Sequence, residues 1–153
     1  MSSLPHGPSA LMICMVMLMA GIGVPIMAAM NANLGQHVGS PVAATAILFA
    51  VGCSLSLVAL MVAGVPSLAQ LGAAKPPYYF AAAFMVFYAL SITWAAPRIG
   101  IGNAVFFVLL GQLIASATID HFGLFGAITT IITPRRIIGI LLMAVGVYLA
   151  RKI

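Results

Sequence analysis

Five long apolar runs, separated by short segments rich in Gly, Pro and basic residues, leave this chain few ways to fold. They are Leu11–Met30, Val42–Val65, Tyr78–Ala96, Ala104–Ile119 and Ile137–Ala150. A helix rises about 1.5 Å per residue and the hydrocarbon layer of a bilayer is about 30 Å thick, so about 20 apolar residues cross it. Helices of a soluble bundle each need a polar face. The second run, VAATAILFAVGCSLSLVALMVAGV, carries no charge on any face. The sequence therefore predicts an all-α integral membrane protein of about five transmembrane helices, at 10–33, 42–65, 77–96, 102–120 and 135–151, forming a single membrane domain over 1–153.

The charge inventory agrees. Only 5% of the residues are charged, against about 25% in an ordinary soluble domain. Glu is absent and Asp120 is the only acid, beside Lys75, Arg98, Arg135, Arg136, Arg151 and Lys152. The net charge of +5 is spread between apolar runs and forms no patch, so it does not point to nucleic acid. Cations at the edges of apolar segments act instead as headgroup anchors and topology signals. The first run is expected to be a retained span: Met1–Ser9 has no Lys or Arg, and 20 apolar residues exceed the roughly 7–15 of a signal-peptide core. Cys14 and Cys53 lie inside apolar runs and read as small buried hydrophobes. His6, His37 and His121 are isolated, so no metal site and no cofactor is expected. There is no GxSxG, HExxH, P-loop or paired carboxylate, and a non-enzyme is expected.

The breaks between runs have matching chemistry. Gly35, Gly39, Ser40 and Pro41 separate the first two, with Pro41 suited to a helix start. Pro66 and the pair Pro76, Pro77 bracket the second connection, and Pro97-Arg98-Ile99-Gly100 predicts a tight third turn. The segment 121–134 is long and apolar, and is expected to lie in the interface or fold back on the bundle, with room for a short extra helix. The last run is short, but the basic residues bracketing it can snorkel to the interface. With five spans, Lys75, Arg135 and Arg136 fall on the N-terminal side and Arg98, Arg151 and Lys152 on the other. Three against three removes the usual positive-inside bias. The expected consequence is insertion in both orientations and pairing of opposed copies into an inverted repeat. The alternative is a single orientation fixed by a marginal charge such as the amino terminus.

Polar side chains at depth in a bilayer are costly and mark function. Gln112, Ser116 and Asp120 follow an i, i+4, i+8 spacing along one helical stripe. Tyr88 and Ser91 share a face, with Trp94 beside them, and Asn31 and Asn33 stand near the end of the first run. Gly21, Gly23 and Pro25 predict a kink within it. Each candidate for solute binding (Gln112, Tyr88, Ser91, Trp94, Asn31, Ser116) has a structural alternative. Gln112 can bridge neighbouring helices, Ser116 can bond back to its own helix, Tyr88 and Trp94 can be packing or interfacial aromatics, and Asn31 and Asn33 can be caps or turn formers. Asp120 and His121 read either as a helix-end pair with Arg135 or Arg136, or as a proton-handling site. No carboxylate lies deep in a span, which disfavours proton exchange at a mid-membrane Glu. In the last run Gly139, Gly146 and Ala150 share a small-residue face suited to close helix contact, either in a dimer or within one chain.

Three stretches resemble the YdcZ family of the drug/metabolite transporter superfamily. They are Met30-Asn31-Ala32-Asn33-Leu34-Gly35 continuing through Gly39-Ser40-Pro41, then Ala96-Pro97-Arg98-Ile99-Gly100, and then Gly111-Gln112-Leu113-Ile114-Ala115-Ser116 running on to Asp120-His121-Phe122-Gly123-Leu124-Phe125-Gly126. The resemblance implies a five-helix unit equal to half of a ten-helix inverted-repeat transporter, assembled as an antiparallel pair. It supplies no substrate. Members often carry Gln one helical turn before the asparagine, where this chain has Met27.

The resulting expectation is a secondary-active transporter in a bacterial inner (plasma) membrane. It would move a small neutral or amphipathic solute by alternating access in an antiparallel homodimer. Its partners would be a second copy of itself, the lipid bilayer and the solute. The alternatives are a dual-topology channel, for which continuous polar lining is scarce, and a non-transporting membrane accessory subunit.

Overall fold

A computed structural model describes residues 9–73 and 75–150, with main chain only at 68, 71 and 150. His6, Arg151 and Lys152 lie outside the described residues, as does the end of the span expected at 135–151. The described residues form helices and no strand: α1 (Ala10–His37), α2 (Pro41–Ala63), α3 (Leu68–Gly72), α4 (Ala81–Ile99), α5 (Ile101–Phe122) and α6 (Pro134–Ala150), with 3-10 turns at Pro76–Phe80 and Leu124–Gly126. The chain divides into two compact units, 1–94 and 95–153, with the division inside α4.

Four helical segments are long and apolar enough to cross a membrane: Ala10–His37, Pro41–Ala63, Pro76–Ile99 and Ile101–Phe122. Five were expected. The fifth run does form a helix, α6, but its 17 residues extend only about 26 Å, short of the hydrocarbon thickness. Leu, Ile, Val, Met and Phe cover the outside of the long helices: Met61, Phe84 and Leu142 are all exposed. The buried positions are mostly small residues (Ala28, Ala32, Ala44, Ala89, Ala96, Ala104 and Ala117). This inversion of the soluble pattern is what lipid as solvent demands. Apolar surface costs nothing outside, and small residues let backbones approach inside.

The helix ends follow local chemistry. Ser9 caps α1 by accepting from the Met12 amide, and Ser40 caps α2 by accepting from the Ala43 amide, with Pro41 as the first helical residue. The turn between them is only Val38, Gly39 and Ser40; Gly39 takes φ +68°, which costs glycine nothing. Ser67 and Gln70 cap α3 reciprocally: the Ser67 amide donates to Gln70 Oε1, and the Gln70 amide to Ser67 Oγ. Two expected boundaries move. The first span does not stop at Asn33 but continues to His37, so Asn31 and Asn33 are interior helix residues and not caps. The third turn is tighter than expected: α4 runs through Pro97 to Ile99, and the reversal rests on Gly100 at φ +84°. α1 continues without interruption through Gly21, Gly23 and Pro25.

Candidate functional site

In unit 1–94 the buried positions of α1 are Ala28, Asn31, Ala32 and Gly35, an i, i+3, i+4, i+7 stripe. All lie in its C-terminal half. α2 contributes Ala44 and Thr45, and α4 contributes Ala89, Ile92 and Thr93. The fit is close at Gly35: a Cβ there would sit 3.2 Å from Thr93 Cγ2, 3.5 Å from Pro41 Cα and 3.7 Å from Ala44 Cβ. Beside it the Asn31 amide Nδ2 donates to Thr93 Oγ1 at 2.6 Å. An amide within an apolar span must find a partner or lose several kcal/mol of hydration. Asn31 finds it 62 residues away, and so ties α1 to α4.

Thr93 is 1% exposed and was not among the sequence candidates. Its signal is faint: it shares an i, i+3, i+4 face with Ala89 and Ile92, which reads as packing until the Asn31 bond is seen. The candidates on the same helix surround it. Tyr88 and Ser91 are half-buried, and Trp94 is 54% exposed. The Tyr88 hydroxyl and Thr45 Oγ1 are enclosed without a hydrogen-bond partner among the described residues. The unit therefore holds two buried hydroxyls with unused hydrogen-bonding capacity and one amide already engaged.

A cavity of about 480 Å³ opens between α1 and α2, lined by Met27, Met30, Asn31, Leu34, Ile47, Leu48 and Val51. Asn31 is its polar group, and among the described residues no charged side chain lines it. Met27 is part of this wall. A second, more open hollow of about 590 Å³ is lined by Ala29, Met30, Asn33, Leu34 and His37. Asn33 is exposed, and its carbonyl lies 3.3 Å from His37 Nδ1.

In unit 95–153 the polar stripe of α5 divides. Gln112 is exposed and bonds no described residue, whereas Ser116, also exposed, donates its hydroxyl to the Leu113 carbonyl at 3.0 Å. Ser116 thus takes the back-bonded arrangement. Asp120 forms an ion pair with Arg136 at 2.6 Å, with side chains 35% and 29% exposed. Of the two arginines offered by the sequence, Arg136 is the partner. The segment after α5 folds back on its end: the Thr130 amide donates to the Asp120 carbonyl at 2.8 Å, and the Ile132 amide to His121 Nδ1 at 3.2 Å. Gly123 at φ +59° turns the chain, and Thr129 Oγ1 fills the space where a Cβ would stand, at 2.6 Å. On α6 no described atom lies within 4 Å of a Cβ built at Gly139 or Gly146, so that small-residue face is open, while the side chain of Ala150 lies outside the described residues.

Residues 12–149 match the family described as "Putative inner membrane exporter, YdcZ". No curated protein and no solved structure matches the chain. The match covers nearly all of the sequence, including both units and every candidate residue except Ala150. With its apolar helices able to span a bilayer, the chain belongs to this YdcZ family of the inner membrane.

Proposed function

We propose that this chain is one half of an exporter, working as an antiparallel homodimer that moves a small neutral or amphipathic solute by alternating access. The observation that carries the reading is Gln112, an amide in the middle of an apolar span that is exposed and bonded to no described residue. Lipid cannot satisfy an amide, so Gln112 needs a partner from a neighbouring helix, a second copy or a solute, and the reading takes the solute. Asn31 at the uncharged α1–α2 cavity, with Tyr88, Ser91 and Trp94 on α4, supplies further surface for a solute without formal charge. The lining supports that solute class, because a charged molecule would meet no counter-charge among the described lining residues.

The antiparallel arrangement rests on the charge tie. Lys75, Arg135 and Arg136 stand against Arg98, Arg151 and Lys152 when α6 crosses as a fifth span. Its 17 residues are enough if the flanking Arg and Lys side chains reach to the interface. The open Gly139–Gly146 face of α6 offers a contact for the opposed copy.

The test is Gln112→Ala in proteoliposomes. Loss of one solute hydrogen bond should reduce uptake of a transported solute roughly two- to tenfold, with the dimer still formed. Undiminished transport by a folded dimer would remove Gln112 from the pathway. Tags at the C-terminus accessible from one face only would remove the antiparallel assembly and leave the exporter.

A further inference from the structure

The α5–α6 connection is held by a bond whose acceptor is a titratable ring. We infer that His121 is a proton-binding site, and that taking up a proton there releases the 123–133 segment from the end of α5. His121 Nδ1 lies 3.2 Å from the Ile132 amide nitrogen, which donates to it. A backbone amide can only donate, so Nδ1 must be the unprotonated nitrogen and the neutral ring carries its hydrogen on Nε2. Imidazolium has a hydrogen on both nitrogens. A proton taken from the aqueous phase at Nδ1 therefore sets donor against donor, and the Ile132 amide must move away. Imidazole is the side chain whose ordinary titration falls in the physiological range.

Among the described residues the ring is the one ionisable group that accepts a bond from this segment. Segment 123–133 contains no ionisable side chain. On α5 the adjacent charge is Asp120; from α6 come Arg135 and Arg136, of which Arg136 is committed to Asp120 at 2.6 Å. That pair joins the ends of α5 and α6, and among the described residues neither of its side chains bonds the Ile132 amide, so it does not replace the lost bond. The second tie, from the Thr130 amide to the Asp120 carbonyl at 2.8 Å, involves no titratable group but spans the same short loop. It should loosen with the first. The sign follows from the geometry: attachment is present when the ring is neutral, with Nδ1 accepting, and is lost when Nδ1 carries a proton. This inference needs no transport by the chain.

The experiment is amide hydrogen exchange on the full-length protein in nanodiscs, from about pH 8 to about pH 5. Rates are expressed as protection relative to the unstructured chain at each pH, so that the intrinsic pH dependence cancels. Protection of Ile132 should fall roughly two- to tenfold with acid, the equivalent of one hydrogen bond, and Thr130 should follow. In His121→Asn the side-chain oxygen can accept the same amide without titrating, and protection should be flat. A wild-type profile that is flat, or a His121→Asn profile that tracks the wild type, overturns the inference. Nitrogen chemical shifts of the wild-type ring provide a check that needs no variant: Nε2–H at neutral pH supports the latch, and Nδ1–H overturns it.

Discussion

The α1–α2 turn and the α5–α6 connection both reverse the chain beside apolar helices, but different forces hold them. The first uses three residues, Val38, Gly39 and Ser40, and passes directly into a close contact in which Gly35 meets Pro41 and Ala44. The second uses eleven residues, 123–133, and depends on polar ties to Asp120 and His121 and on the Asp120–Arg136 pair. Backbones that approach closely between small side chains gain dispersion contacts that no solution condition removes. Polar ties near a membrane face remain open to water, salt and protons. One reversal is built to stay, and the other can respond.

The sharpest way to break this contrast is to fill the close contact. Gly35→Leu places four heavy atoms where a Cβ alone already presses on Thr93 Cγ2 at 3.2 Å. It should destabilise the protein by about 1–3 kcal/mol or more, read as a lowered thermal midpoint in detergent. A melt like the wild type would mean that the α1–α2–α4 contact is loose. A smaller effect is expected from the polar bond inside that contact. Asn31→Ala leaves the Thr93 hydroxyl buried without its donor, and the double-mutant cycle with Thr93→Ala should give a coupling of about 0.6–1.7 kcal/mol. Zero coupling would reduce Asn31–Thr93 to proximity. The smallest effect belongs to the other reversal. Asp120→Asn removes an ion pair whose side chains are about a third exposed, so global stability should change by about 1 kcal/mol or less, with faster amide exchange confined to 123–133. A large global loss would show that the two reversals are not different in kind.

The sequence announced the helices better than their partners. Apolar run length located the four helical segments long enough to cross a bilayer, because the bilayer sets a minimum length on a crossing helix, and the fifth run forms the shorter helix α6. Ser40 and Pro41 marked the start of α2 through local chemistry alone. The end of α1 was misread because Asn31 and Asn33 look like turn residues in isolation. Asn31 stays helical because its side chain bonds Thr93 in place of its own backbone, and a contact across 62 residues has no local signature. Asp120 was legible as a helix-end pair because it is the only acid in the chain. The choice of Arg136 over Arg135 depended on helix phase, which only the fold sets. Ser116 and Gln112 lie one turn apart in sequence, yet one is satisfied by its own helix and the other is not. Spacing alone could not separate them.

α1 is fastened at one end. Among the described residues none from Ala10 to Gly23 is buried, while the buried positions of the helix are Ala28, Asn31, Ala32 and Gly35, and Pro25 stands just before them. Pro25 lacks the amide hydrogen that an interior helix position would donate, so the helix is weakest at the border between its two halves. From Pro25 back to Ala10 the helix is about 22 Å long, so a bend of about 10° at Pro25 would carry the far tip through about 4 Å while the buried positions from Ala28 to Gly35 stayed in place.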